Sequence, residues 1–315
     1  MQRLPVTPDL FHGHVSIHEG ADGAAPVRLP LEELALYPSP DDMLVERHVM
    51  DLTVDGALVS SVVIPPNADT VEFTIPDDST PRDASAADLP VCEVWLHQFH
   101  SVRIRSLQAD DGSSLRPAPD DRPRWLTYGS SITMCRGAGS PARTWPAVAA
   151  RVRGLNLQSL GYGGHCHLDP MVGRLIRDTP TDLITLKLGI NVYGGASLSA
   201  RTYPAAVIGL VRLIRERHPE IPIGVVTSIA SPDRERTPNA VGCTLEDYRE
   251  MTRDAVARLV AAGDERLVIF EGTDLLAGHE AHLMLDGVHP GPEGYELIGR
   301  RVAEQVLPPL LEMRG

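Results

Sequence analysis

The sequence predicts two regions of different fold class: an antiparallel β-sandwich or jelly roll, then a parallel sheet covered by helices on both faces. Three observations carry this expectation. Up to residue 108 the apolar segments are short, rich in β-branched residues and separated by turn chemistry. From Arg124 five strand-like segments alternate with five helix-like ones. Between the two lies ADDGSSLRPAPDDRP, polar and proline-rich. The expected division is a β-domain at 1–108, a linker at 109–123 and an α/β-domain at 124–315.

In the first region the strand candidates are HGHVSIHE, MLVERHVMDLTV, ALVSSVVI, DTVEFTI, CEVWLHQF and SVRIRSLQ. Val71-Glu72-Phe73-Thr74-Ile75 alternates with period two, the pattern of a half-buried strand. Clusters such as Pro65-Pro66-Asn67 and Pro76-Asp77-Asp78 interrupt the run and supply turns. His12, His14 and His18 alternate on the first candidate and are explained by a solvated face.

In the second region strands are expected at 125–128, 155–160, 183–188, 222–229 and 267–271. Helices are expected at about 144–153, 170–178, 202–217, 245–262 and 293–306. Val207, Leu210, Val211 and Ile214 fall on one helical face, and His218-Pro219 ends that helix because proline cannot continue the ladder. Thr244 and Asp247 have N-cap spacing, and Gly263 supplies a stop. A parallel sheet of this kind carries its functional loops at the carboxyl ends of its strands.

Bulk composition excludes several function classes. With 315 residues and 43% hydrophobic residues the chain can bury a full core. A net charge of −13 leaves no basic footprint for nucleic acid or for an anionic membrane surface. The N-terminus has no apolar h-region, and no apolar run reaches the ~18–20 residues of a membrane span. Cys92, Cys135, Cys166 and Cys243 lie far apart and form no CxxC pair, so neither a disulfide framework nor a structural zinc site is expected. The expectation is a cytoplasmic protein.

Four loops carry the chemistry. The first strand of the α/β-region runs into Gly129-Ser130-Ser131-Ile132-Thr133, a sharp turn presenting a serine. The last loop, Leu285-Asp286-Gly287-Val288-His289-Pro290, puts an aspartate and a histidine three residues apart. There the carboxylate can fix the imidazole tautomer so that Nε2 takes a proton from a serine. After the second strand comes Gly161-Tyr162-Gly163-Gly164-His165, and after the third Leu188-Gly189-Ile190-Asn191-Val192. Backbone N–H groups of a glycine turn and an asparagine amide are suitable donors to an oxyanion.

The order Ser, Gly, Asn, Asp-x-x-His resembles the SGNH (GDSL-type) hydrolase family over about residues 124–306. The resemblance implies a flavodoxin-like three-layer α/β/α domain and a serine esterase that acts on a small-molecule ester and needs no metal or organic cofactor. By it, Ser131 is the nucleophile and Asp286 and His289 complete a triad. The oxyanion hole is then made by Ser131, Gly164 and Asn191. Trp145-Pro146 resembles an aromatic-Pro pair common in the family. Ser130 stands where the family usually has aspartate, and Val192 where an aspartate often follows the asparagine. The Gly-Ser-Ser-Ile-Thr form resembles a subgroup with an extra N-terminal β-domain.

Arg136, His165 and Tyr193 flank these loops and are candidate substrate contacts. His165 and His167 alternate in extended chain, which makes shared metal coordination awkward. Cys135 lacks the motif position of a nucleophile. The expected reaction is hydrolysis of carboxylic esters, with short acyl groups on small polar or carbohydrate-like alcohols. One rival is an acyltransferase with the same triad and an acceptor other than water. Another is a glycan-binding module with a degraded catalytic domain, against which the intact Ser131, Asn191, Asp286 and His289 speak.

Overall fold

Alternation and turn chemistry in the N-terminal part produce antiparallel strands, and the periodic second part produces one parallel sheet. The computed structural model describes residues 2–4, 6–14, 16–20, 23–27, 48–65, 68–76, 89–99, 102–113 and 115–314. The described N-terminal strands are β1 (Gln2–Leu4), β2 (Ser16–Gly20), β3 (Gly23–Val27), β4 (His48–Val54), β5 (Ala57–Ile64), β6 (Cys92–Trp95) and β7 (Leu107–Ala109). They pair as an antiparallel sheet β5-β4-β6 and as two-stranded ladders β2-β3 and β1-β7. β5 alternates exposed and half-buried residues along its length. Residues 43–47 of the expected strand 43–54 lie outside the described residues. The segment 69–75 keeps Val71 and Phe73 half-buried but joins no ladder among the described residues.

The parallel sheet consists of β8 (Arg124–Gly129), β9 (Asn156–Gly161), β10 (Leu183–Lys187), β11 (Ile223–Val226) and β12 (Leu267–Phe270). Its order is β12-β11-β10-β8-β9. Counted along this domain that is 2-1-3-4-5, the flavodoxin-like order, with the reversal of winding between β8 and β10. All five residues of β10 are buried, as a central strand covered on both faces requires.

The helices are α1 (Ser131–Met134), α2 (Trp145–Arg153), α3 (Pro170–Asp178), α4 (Ile190–Gly195), α5 (Tyr203–Arg215), α6 (Leu245–Ala261), α7 (Gly272–Leu275), α8 (Pro292–Arg301) and α9 (Leu307–Arg314). α2 packs on α8, whereas α5 packs between α3 and α6. The expected face of α5 is buried at Val207, Leu210, Val211 and Ile214. The Thr244–Asp247 capping box forms with both reciprocal hydrogen bonds. The helix expected at 293–306 instead widens to π geometry over Val302–Val306 and continues into α9. Pro308 and Pro309 sit in the first turn of α9, where a missing N–H is tolerated.

The N-terminal strands are tied to the segment that follows α1. Asp51 of β4 is fully buried, and its Oδ2 accepts from Ser140 Oγ at 2.5 Å and from Ala142 N–H at 2.7 Å. Gln98 Nε2 donates to the Cys135 carbonyl at 3.3 Å. The Arg151 guanidinium lies 5.8 Å from the centre of the Trp95 ring. Arg122 bridges Glu93 at 2.6 Å and Asp120 at 2.7 Å.

Candidate active site

Ser131 opens α1 directly beyond β8, on the carboxyl edge of the sheet and beside the reversal of winding. Two glycines allow that placement. A Cβ at Gly129 would collide with Thr133 Oγ1, and one at Gly161 would collide with the backbone of Thr133 and Met134. Ser130 is the N-cap, and its Oγ accepts from Ile132 N–H at 3.2 Å. Trp145 Nε1 donates to the Ile132 carbonyl at 2.9 Å and so ties α2 to α1. Ser131 is buried, 6% exposed, and its Oγ stands 2.8 Å from His289 Nε2.

His289 and Asp286 occupy a tight turn between β12 and α8. The turn is closed by Leu285 N–H to the His289 carbonyl at 2.8 Å and by a bridge between Met284 and Pro290. Gly287 takes φ of 75°, the left-handed conformation that glycine adopts without strain. Asp286 Oδ2 lies 2.8 Å from His289 Nδ1, while its Oδ1 accepts from the N–H groups of His289 (2.8 Å) and Val288 (3.0 Å). Partial burial works against ionisation of this carboxyl. The hydrogen bonds from His289 and Val288 outweigh it and hold Asp286 below the usual carboxylate range. An ionised Asp286 accepts Nδ1–H, which leaves the Nε2 lone pair facing Ser131.

The turn is braced from a direction that no motif marks. Ser231 Oγ donates to the Gly287 carbonyl at 2.7 Å. Ser231 N–H donates to Glu235 at 2.7 Å, and Glu235 receives a double bridge from Arg249 at 2.6 and 2.7 Å. Arg249 is 5% exposed and also donates to the Ser228 and Ile229 carbonyls. The only local signal for this brace was an arginine at a core-facing position of α6.

The remaining candidates fall around the same edge. Gly164 has φ of 71°, and its carbonyl accepts from His167 Nε2 at 2.9 Å. His167 Nδ1 lies 2.7 Å from Ser197 Oγ. Both nitrogens of this imidazole therefore have protein partners. Asn191, at the start of α4, accepts Cys166 N–H on Oδ1 at 3.0 Å. Only the amide oxygen can accept, so this bond fixes the flip and leaves the NH₂ group as donor. His165 is half-buried, and its N–H donates to the Tyr162 carbonyl at 3.3 Å.

Arg136 is exposed in the loop after α1. Tyr193 is buried, donates its hydroxyl to the Thr237 carbonyl at 3.0 Å and stacks edge-on with Tyr248. It serves the wall between α4 and the loop at 231–243. Cys135 is fully buried, with its thiol against the Ile132 and Thr133 carbonyls, and burial pushes that thiol far above the ordinary range. A thiolate does not form there near neutral pH. Among the described residues no group of three or more His, Cys, Asp or Glu could hold a metal ion.

The comparisons with known proteins point the same way. No curated protein sequence matches the chain. Among solved structures the chain is similar to the salicylyl-acyltransferase SsfX3 from a tetracycline biosynthetic pathway. That likeness has 29% identity and a TM-score of 0.80, over 94% of this chain and 95% of that one. It is also similar to a GDSL-like lipase of Bacteroides ovatus, with 18% identity and a TM-score of 0.64 over 88% and 78%. A carbohydrate esterase of family 2 from Myceliophthora fergusii, with its carbohydrate-binding domain, gives 16% and 0.59 over 84% and 88%. These last two likenesses concern the fold alone. The family model described as GDSL-like Lipase/Acylhydrolase matches residues 127–297, more than half of the chain, and the chain belongs to that family.

Proposed function

We propose that the protein is a serine esterase that forms an acyl-enzyme on Ser131. The observation that carries this is the unbroken relay from Ser131 Oγ through His289 to Asp286, with both contacts at 2.8 Å. His289 Nε2 takes the Ser131 proton as Oγ attacks the ester carbonyl. The imidazolium is held by ionised Asp286 and then protonates the leaving alcohol. The Ser131 and Gly164 N–H groups and the Asn191 amide receive the oxyanion, each such donor contributing ~10²–10³ in rate. Water, deprotonated by the same imidazole, resolves the acyl-enzyme. The substrates in this reading are short acyl esters of small polar or carbohydrate-like alcohols, and the N-terminal strands form a separate β-sandwich domain.

A second reading, transfer of the acyl group to an acceptor other than water, is favoured by one observation. The likeness to a salicylyl-acyltransferase spans nearly the whole of both chains. Fluorophosphonate labelling followed by peptide mapping tests the shared first step, and an unlabelled Ser131 would sink both readings. Turnover of p-nitrophenyl esters from acetate to palmitate, with and without polar alcohols, separates the two. Free acid as the product under all conditions favours hydrolysis. New ester formed in preference to acid favours transfer.

A further inference from the structure

Lys187 is the sole lysine among the 29 lysines and arginines of the chain. It is the last residue of β10 and is 3% exposed. Its side chain borders a space of about 10 Å³, enough for about one water, walled by Trp145, Thr185 and apolar side chains of β11, α7 and α8. Among the described residues no carboxylate pairs with it. The ionisable groups that act on it are the Cys166 and Cys135 thiols and the Arg249 guanidinium. Trp145 of α2, Val226 of β11, Leu275 of α7, Ile298 of α8 and Val302 and Val306 beyond it bring no titratable group to that space.

An ammonium with no carboxylate partner among the described residues is unfavourable at so buried a position, so its retention calls for a reason other than stability. Everywhere else this chain uses arginine as its cation. A guanidinium keeps its proton at all ordinary pH values, whereas a buried amine can release one. Position supplies the reason. Leu186 pairs with Tyr128, so Lys187 stands opposite Gly129, two residues before Ser131, and four residues before Asn191. With strands ~4.8 Å apart, its charge lies on the order of 10 Å from the reacting oxygens. Trp145, which borders the same space, donates to the carbonyl of Ile132, the residue after Ser131.

We propose that Lys187 is a buried positioning cation of the acylation site, whose unneutralised charge behind the Ser131 turn favours the oxyanion while weakening the fold. This rests on the acyl-enzyme reading. Burial pushes the amine down to about 8, so it is charged at neutral pH and discharges in weakly alkaline solution. At that separation and an effective dielectric of ~20, the charge accounts for roughly a tenfold change in acylation rate.

The test uses Lys187→Met, which keeps length and removes charge. At pH 7 this variant should be phosphonylated at Ser131 about tenfold more slowly than wild type and yet melt at a higher temperature. The rate difference should close above about pH 9. An unchanged rate at pH 7, or a lowered melting temperature accompanying the slower rate, would overturn the proposal. The full-length protein labelled with ¹³C-lysine gives one side-chain signal, so the same charge can be watched directly. An anionic phosphonate on Ser131 should raise its titration midpoint by about one pH unit, and an unmoved midpoint also overturns the proposal. If wild type is not labelled at Ser131 at all, the acyl-enzyme reading is what has failed.

Discussion

Ser231 Oγ donates to the Gly287 carbonyl at 2.7 Å, joining the loop after β11 to the turn that holds Asp286 and His289. Ser231 is 1% exposed, so this hydrogen bond has little competition from water. Through Glu235 it connects to Arg249 on α6. The histidine turn is thus fixed at its own base and again from a neighbouring helix.

Ser231→Ala should therefore act on turnover more than on substrate binding. Loss of one buried hydrogen bond is worth about 1 kcal/mol, enough to lower kcat roughly fivefold while KM changes little. Steady-state kinetics check the split. A raised KM with unchanged kcat would place Ser231 in substrate binding instead.

The two adjacent serines should separate cleanly. Ser131→Ala should lower kcat by ~10³-fold or more, as loss of a triad member does. Ser130→Ala removes the N-cap bond to Ile132 and should cost about 1 kcal/mol of stability while most activity survives. Thermal melts and ester turnover on both variants decide this, and the reverse pattern would move the nucleophile by one residue.

Asp286 carries the pH dependence. Burial opposes its charge, but the His289 and Val288 hydrogen bonds prevail and lower its pKa on folding. Its contribution to stability is then present above the ordinary carboxylate value of ~3.9 and is lost as pH falls through the lower folded value. In Asp286→Asn labelling of Ser131 should be slower by ~10³–10⁴-fold at every pH, because the amide favours the wrong imidazole tautomer. Wild-type labelling rates in this variant would remove Asp286 from the relay.

Asp51→Ala tests the tie between the N-terminal strands and the loop after α1. The change strands the Ser140 hydroxyl and the Ala142 N–H without their acceptor, at roughly 2–4 kcal/mol. The melting temperature should fall by roughly 5–10 °C. Cleavage by protease within 135–144 should increase, since that loop loses its anchor on β4. An unaltered melting temperature would show that the contact contributes nothing.

The parallel sheet and the site blocks were legible because local pattern and tertiary role coincide there. Each of the five parallel strands begins within one or two residues of its expected start. The two departures from the family pattern also acquire physical reasons. Ser130 caps α1 as aspartate would, since both residue types are strong N-caps. Val192 is fully buried in the core, where a carboxylate would have to lose its hydration. The short helices α1, α4 and α7 escaped detection because four to six residues show no helical period. The Ser231–Glu235–Arg249 brace escaped because its members are joined by folding rather than by spacing. The run of helix past Val306 escaped because Pro308-Pro309 reads as a terminator unless the chain restarts a turn there.

The contact between Ser131 and His289 spans 158 positions of the chain. Closing a loop of that length costs entropy that only the surrounding structure repays, so the contact is expected to form late, once β8 to β12 have assembled. During synthesis a ribosome-bound chain that has already built β8 and β9 exposes a serine without its base. The serine of such a nascent chain lacks the imidazole that stands beside it in the folded protein until residue 289 has emerged. Recovery of Ser131 labelling after dilution from denaturant should lag behind recovery of the sheet's circular dichroism, making the reactive serine a clock for completion of the fold.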